Sequence, residues 1–316
     1  MENVKPALIV VTGPTASGKT AVSIELCKRI DGEVVSADSM QLYRGMDIGT
    51  AKPDLLERAG VPHHLLDVLD PREHATASQY ATLAKEAVQS ILARGKMPVV
   101  CGGTGLYIDA LTRPMRFSAP GDERLREELH AIAAKPDGRA QLHAMLREVD
   151  SAAAEKLHEN DVRRVVRAIE SYRLTGKTQK ELAEEDALLE GDYHEILFAP
   201  LWPRDALYAR INQRVDRMIE QGLVEEVRGL LRAGLDPSCT AMQAIGYKEI
   251  AFALSGRCTM AEAVDAIKQA SRNYAKRQMT WLRRDQRVRF LNAEGKPAEA
   301  LAEEMIGICR KEGILP

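Results

Sequence analysis

The sequence lacks features that are typical of several protein classes: many aromatic residues, a long apolar run and a signal peptide. Aromatic residues make up only 4% of the 316 positions, which disfavours a large base-stacking sheet of the kind that binds single-stranded RNA. No stretch of about 18 uncharged apolar residues is present, so no conventional transmembrane helix is expected. The N-terminal MENVKPALIVVTG runs directly into a glycine turn and lacks a small-residue cleavage site, which favours a buried strand over a signal peptide.

The sequence also has few cysteines and a net charge close to zero. The five cysteines form no CxxC pair, which disfavours structural zinc and favours reduced thiols in a cytoplasmic protein. Lys and Arg number 44 against 46 Asp and Glu, for a net charge of −2. A uniformly basic coat protein is therefore excluded, and a nucleic-acid partner would have to bind local basic patches.

Strand and helix patterns alternate in the first third of the chain. An apolar run, Ala7–Thr12, precedes a glycine turn and a helical pattern over Lys19–Ile30. Two further buried strands are predicted at 33–37 and 98–101, with a helix over 77–94 between them. This order predicts an α/β fold with a doubly wound parallel sheet, in which ligands bind beyond the carboxyl ends of the strands.

The pattern changes after about residue 117. Residues 122–190 are charged and favour helix, and strand character returns only at 195–199 and at Val288–Asn292. The chain is long enough for about two domains. We therefore predict a catalytic α/β core from 1–116 and 193–316, interrupted by a helical insertion at 117–192.

A phosphate-binding loop lies between the first strand and the first helix. The motif G-x-x-x-x-G-K-[ST] is complete, and its strand–loop–helix context makes a glycine-rich turn without a ligand the weaker interpretation. Backbone N–H groups, the helix N-terminus and the lysine bind phosphate, and the threonine hydroxyl can hold Mg²⁺. The residues are Gly13, Pro14, Thr15, Ala16, Ser17, Gly18, Lys19 and Thr20. The loop predicts a P-loop NTPase-like fold and a diphosphate, triphosphate or nucleotide ligand such as ATP.

Asp38 follows the second strand, at the same edge of the sheet. It is a candidate metal ligand or general base, and a turn or helix cap is the alternative. The loop and Asp38 leave kinase, NTPase and other phosphate-ester chemistry open.

Longer motifs resemble a known family over nearly the whole chain. GPTASGKT is followed by SADSMQLYRGMDIGTAKP at 36–53, HHLLDVLDP at 63–71, GGTGLY at 102–107, AIGYKE at 244–249 and YAKRQMTWLRR at 274–284. This order resembles that of the bacterial tRNA dimethylallyltransferases. The zinc finger of eukaryotic members has no counterpart among the scattered cysteines.

The resemblance implies transfer of a dimethylallyl group from dimethylallyl diphosphate to N6 of adenosine-37 of tRNA, next to the anticodon, with release of diphosphate. The phosphate loop would hold the prenyl diphosphate with Mg²⁺ at Thr20. Asp38 matches the family's general base, and Thr104 matches a residue near the reacting amine. Arg214 matches the arginine that contacts the diphosphate, and a solvated or ion-paired helix arginine is the alternative for it. Arg217, one helical turn away, is the second choice.

The resemblance also implies contacts with the tRNA anticodon stem-loop. For Met40, packing in the core or channel is at least as good an interpretation, and Glu127 can equally be a surface charge of a helix. The arginines of the insertion are favoured for RNA contact because they cluster in a mildly acidic chain, with a solvated helix face as the alternative. We expect no obligate protein partner and no membrane contact. The residues expected to meet tRNA are Asp38, Ser39, Met40, Gln41, Thr104, Glu127, Arg163, Arg164, Arg167 and Gln243.

Three other functions compete with this prediction. A small-molecule kinase would leave residues 36–53 unexplained, and a prenyltransferase acting on a free adenine nucleotide would not need the insertion. An RNA-binding module without catalysis would not need the phosphate loop. His63 and His64 are predicted to make structural hydrogen bonds, since adjacent residues of an extended segment point to opposite sides.

Overall fold

The computed structural model describes residues 5–115 and 122–316. It divides into two compact units, Met1–Thr112 with Asp192–Pro316, and Arg113–Gly191. The boundary predicted at 116 and 117 lies outside the described residues.

The first unit begins with alternating strands and helices. They are β1 (Ala7–Thr12), α1 (Lys19–Ile30), β2 (Gly32–Ser36), α2 (Leu55–Arg58), β3 (His63–His64), α3 (Ala77–Ala93), β4 (Met97–Gly102) and α4 (Gly105–Thr112). The second unit contains α5 (Glu123–Ala133), α6 (Gly138–Val149), α7 (Ser151–Lys156), α8 (Val162–Thr175) and α9 (Gln179–Ala187). The first unit then resumes with β5 (His194–Leu201), α10 (Arg204–Glu220), α11 (Leu223–Arg232), a 3₁₀ turn (Ala241–Gln243), α12 (Tyr247–Leu254), α13 (Met260–Arg284), β6 (Val288–Asn292) and α14 (Ala298–Lys311).

The strands of the first unit form one parallel sheet in the order β3-β2-β4-β1-β5-β6. Successive residues of β1 belong to different cores: Val10 packs in one apolar cluster, and Ile9 and Val11 pack in another. Both faces of the sheet are therefore covered, which explains why β1 reads as a continuous apolar run. Because the chain turns to opposite sides of β1, the carboxyl end of β1 is the switch point where such sheets bind ligands.

The second unit has its own apolar core. Val165, Val166 and Ile169 lie on one face of α8 and pack against Leu129 and Leu142. The arginines at 163, 164 and 167 lie off this apolar face and are exposed. A buried carboxylate, Glu170, forms ion pairs with Arg126 and Arg167 at 2.8 and 2.9 Å.

The two histidines are structural, as predicted. His63 Nδ1 lies 2.8 Å from the carbonyl oxygen of Val61, and His64 Nε2 lies 2.7 Å from the Glu33 carboxylate. Both residues belong to β3, a two-residue edge strand that the sequence pattern did not predict. No helix of the described ranges is long and apolar enough to cross a bilayer.

Candidate active site

The loop between β1 and α1 adopts the backbone conformation that its glycines allow. Gly13 and Gly18 have φ values of 149° and 89°, a conformation that residues with a side chain rarely adopt. A Cβ at Gly13 would also lie 2.7 Å from Ser17 Oγ. The loop ends at the N-terminus of α1, where unpaired N–H groups and the helix dipole attract anions.

Side chains from the other half of the first unit hold the carbonyl groups of this loop. Trp202 Nε1 donates to the carbonyl oxygen of Ser17, and Arg210 Nε donates to that of Ala16, both at 2.9 Å. The Arg210 guanidinium stacks 4.2 Å from the Trp202 ring centroid. These contacts fix the loop through its carbonyl groups and do not use its N–H groups, which bind phosphate.

Two cations, Lys19 and Arg214, lie close enough at the phosphate loop to repel each other. Arg214 Nη1 donates to Thr15 Oγ1 at 3.1 Å. Burial lowers the pKa of Lys19, and the charge of Arg214 lowers it further. Burial also lowers the pKa of Arg214, while the nearby Asp38 carboxylate opposes the shift at both cations. A bound anion would relieve this repulsion.

The ends of β2 and β4 bring Asp38 close to Thr104. The Ser39 N–H donates to Thr104 Oγ1 at 3.1 Å, and the Thr104 N–H donates to the carbonyl oxygen of Ala37 at 3.1 Å. Asp38 Oδ1 accepts from the N–H of Met40 at 3.0 Å, which fixes its carboxyl group. A Cβ at Gly102 would lie 2.2 Å from the Ala37 carbonyl oxygen, so the glycine permits this close approach.

The carboxylate and the cations face one cavity of about 400 Å³. Its lining includes Lys19, Thr20, Asp38, Arg214 and Tyr274. A second cavity of about 430 Å³ lies against the same loop and shares Lys19, Thr20 and Arg214 with the first. The cations and the Thr20 hydroxyl thus stand between the two cavities.

Other predicted tRNA contacts in the first unit have specific surroundings. Gln41 lines the first cavity, but its Oε1 accepts from Ser36 at 3.0 Å and its Nε2 donates to the carbonyl groups of Thr50 and Ala51 at 3.3 Å. A base contact by this amide would require exchange of these bonds. Met40 lines the same cavity and packs against the core. Gln243 is exposed at the cavity and donates to the carbonyl oxygen of Pro237 at 2.7 Å.

The remaining predicted tRNA contacts lie in the second unit. Glu127 is exposed on α5, and Arg163 is exposed on α8. Arg164 forms an ion pair with Asp161 at 3.0 Å, and Arg167 compensates the buried Glu170. Arg167 therefore has a structural task that the sequence did not indicate.

Helix α13 adds two site residues that were not predicted. Tyr274 lines the same cavity as Asp38, and burial raises the pKa of its hydroxyl to about 12, with Asp38 contributing in the same direction. Gln278, one turn further, contacts both the phosphate loop and the turn at Gly103. Two sequence signals point to them: residues 274, 278 and 281 share one face of α13, and all three belong to the YAKRQMTWLRR motif.

Comparison with known proteins identifies the family. The protein-family model described as IPP transferase matches residues 41–285 of this chain. The chain belongs to the IPP transferase family. Its IPP transferase relatives include the tRNA dimethylallyltransferases of Geobacter metallireducens, 48% identical over 93% of this chain and 95% of the relative, and of Desulforudis audaxviator, 46% identical over 98% and 99%.

Solved structures of the IPP transferase family have the same fold. A tRNA isopentenylpyrophosphate transferase from Bacillus halodurans is 40% identical, with a TM-score of 0.73 and 98% of each chain covered. A eukaryotic dimethylallyltransferase, described as acting on tRNA, has a TM-score of 0.83 at 27% identity, covering 98% of this chain and 80% of the other. The predicted family, α/β P-loop fold and transferase class are confirmed.

Proposed function

We propose that this protein transfers a dimethylallyl group from dimethylallyl diphosphate to N6 of adenosine-37 of tRNA and releases diphosphate. The observation that supports it is the shared cavity: a carboxylate, Asp38, faces the same space of about 400 Å³ as Lys19 and Arg214. Such a cavity can hold an anionic leaving group next to a base. The curated relatives are tRNA dimethylallyltransferases.

The phosphate loop, Gly13 to Thr20, binds the prenyl diphosphate. Its N–H groups and the crowded charges of Lys19 and Arg214 stabilise the negative charge that grows on the leaving oxygen as the allylic C–O bond breaks. Arg214 also donates to Thr15, so its guanidinium is already oriented before the substrate arrives.

Asp38 acts as the general base. The N6 lone pair attacks the allylic carbon, the C–O electron pair leaves with the diphosphate, and the N6 proton passes to the carboxylate. Thr104 contacts the segment that carries Asp38 through the N–H of Ser39 at 3.1 Å, and it positions the amine and the bridging oxygen. The target adenosine must leave the stacked anticodon loop, at a cost of about a few kcal/mol.

The residues at the loop suit Mg²⁺. Thr20 and Asp38 offer hard oxygen donors on one cavity, and no group of three or more His, Cys, Asp or Glu suited to a metal occurs within 5–115 and 122–316. This set matches Mg²⁺, which binds through few protein ligands plus substrate phosphates and water. Thr20 would hold the ion, and the ion would neutralise charge on the diphosphate.

The insertion supplies contacts to the anticodon stem-loop. Arg163 and Glu127 are exposed on its helices, and Arg164 and Arg167 are exposed on the same helix as Arg163. Ser39, Met40, Gln41 and Gln243 surround the cavity in which we place the target base.

A labelling experiment tests the function. Protein, Mg²⁺ and labelled dimethylallyl diphosphate are incubated in parallel with unmodified tRNA, a truncated anticodon stem-loop and AMP, and a further arm offers ATP. We expect label on N6 of adenosine-37 of tRNA, and one diphosphate released per label. Label on AMP but not on tRNA, or phosphate transfer from ATP, would refute the proposal.

A further inference from the structure

One buried amide links the two loops of the active site. Gln278 lies on α13 with 8% of its surface exposed. Its Oε1 accepts the N–H of Thr15 at 2.9 Å, and its Nε2 donates to the carbonyl oxygen of Gly103 at 2.9 Å. Both polar ends of the side chain are therefore used, one on each loop.

The turn that begins at Gly103 is shaped to receive α13. A Cβ at Gly103 would lie 2.3 Å from Gln278 Nε2, and a Cβ at Gly105 would lie 2.5 Å from the Trp281 ring. Residues three apart share a helix face, so Gln278 and Trp281 occupy these two gaps from one side. The two glycines thus allow the amide to reach the turn.

Each end of the amide connects to a group that we place at the substrate. Thr15 belongs to the diphosphate loop, and its hydroxyl accepts from Arg214 at 3.1 Å. Gly103 immediately precedes Thr104, which accepts the N–H of Ser39 at 3.1 Å. A buried amide needs hydrogen-bond partners wherever it lies; here the partners are the two loops whose separation matters for the reaction.

We propose that Gln278 is a positioning residue for prenyl transfer. It holds the phosphate loop and the Thr104 turn at a fixed separation, so that the leaving diphosphate and the acceptor amine meet in reactive geometry. The inference rests on the proposed function, because Thr104 and the loop matter together only if both substrates react in this cavity.

Gln278→Met tests the inference, since methionine has a similar unbranched shape without the amide. We expect kcat for transfer to fall by about tenfold or more, while the Kd for inorganic pyrophosphate and the KM for tRNA each change by less than about threefold. Gln278→Glu is the second variant: its carboxylate accepts from Thr15 but cannot donate to Gly103, so it also loses kcat. Gln89→Met, at an exposed position of α3, is the control and keeps wild-type kcat.

A double-mutant cycle separates positioning from general support of the fold. If Gln278 acts through Thr104, Gln278→Met in a Thr104→Ala background lowers kcat by less than about threefold. Full additivity, or a kcat within twofold of wild type for either Gln278 variant, would overturn the inference. Failure of the wild-type protein to transfer label to tRNA would instead overturn the proposed function.

Discussion

At the scale of single residues, one carboxylate and two cations meet at one cavity beyond the carboxyl ends of the strands. Asp38 follows β2, and Lys19 belongs to the phosphate loop after β1. Arg214 reaches the same cavity from α10. Two effects act in opposite directions on the pKa of both cations: the charge of Asp38 raises it, and burial lowers it. For both cations burial is the larger effect, so the pKa is lowered despite the nearby carboxylate.

Replacing Asp38 tests its role as base. Asp38→Asn keeps an oxygen that can accept the Met40 N–H but removes the proton acceptor, so kcat is expected to fall by about 100-fold or more. Binding of tRNA in a filter assay should change by less than about threefold. Asp265→Asn, at an exposed position of α13, is the matched control. A large loss of tRNA affinity would instead make Asp38 a structural or RNA-anchoring residue.

The two arginines of α10 are expected to differ. Arg214→Met removes a partly buried guanidinium hydrogen-bonded to Thr15 and should raise the Kd for inorganic pyrophosphate by about tenfold or more. Arg217 is exposed, so Arg217→Met should change this Kd by less than about threefold. Calorimetry with both variants decides between them, and equal losses would contradict the assignment of Arg214.

Lys19 gives the site a pH dependence. Its pKa is lowered from the ordinary 10.5 by burial and by Arg214, so the ammonium loses its proton at a lower pH than a solvated lysine. Since diphosphate prefers the ammonium, affinity should fall as pH rises through this lowered pKa. Lys19→Arg keeps its charge and should lose this alkaline decline relative to wild type. Parallel pH profiles of the pyrophosphate Kd in both proteins would refute this explanation.

At the scale of elements, two of the family motifs meet where the loop after β2 packs against α11 and α12. The Glu226 carboxylate of α11 accepts the N–H groups of residues 47–49 at 2.8 to 3.1 Å and the hydroxyl of Tyr247 at 2.5 Å. A Cβ at Gly49 would lie 2.4 Å from the Tyr247 ring. The DIGT and GYKE motifs therefore pack against each other and support one wall of the cavity.

Lys52 holds the same loop from inside. Its ammonium donates to the carbonyl oxygen of Tyr43 at 2.9 Å and to the carboxylates of Asp47 and Asp67 at 2.6 and 2.5 Å. Lys52→Met should lower the free energy of unfolding by about 1–3 kcal/mol, because these acceptors lose their partner. Lys85→Met, which removes an exposed ion pair with Asp192, should stay within about 0.5 kcal/mol. Equal losses in urea denaturation would contradict a special role for Lys52.

Sequence patterns specify those elements whose signal is local. β1 and α1 have the predicted bounds, and β4 extends the predicted 98–101 by one residue at each end. β3 was missed because two residues cannot show a period. Gln278 was missed because its partner Thr15 is 263 positions away and an isolated glutamine in a helix is ordinarily a surface residue.

At the scale of the whole molecule, the insertion is a separate unit with its own core. Its exposed arginines differ in what they support. Arg167 compensates Glu170, which is fully buried, whereas Arg163 is exposed. A tRNA contact is therefore best tested at Arg163, where substitution leaves the ion pairs of Glu170 intact.

Arg163→Glu should raise the KM for tRNA by about threefold or more and reduce the slope of log affinity against log salt by about 1. Arg310→Glu, on α14 of the first unit, is the control with the same charge change. A salt slope equal to that of wild type would remove Arg163 from the tRNA interface.

The central claim is that the phosphate loop holds a prenyl diphosphate opposite the Asp38 carboxylate. A crystal structure with a non-reactive dimethylallyl diphosphate analogue tests it most directly. The account predicts diphosphate oxygens within hydrogen-bond distance of Lys19, Arg214 and the loop N–H groups, and an allylic carbon facing Asp38 and Thr104. A diphosphate bound elsewhere, or an Asp38 carboxylate turned away from the allylic carbon, would contradict it.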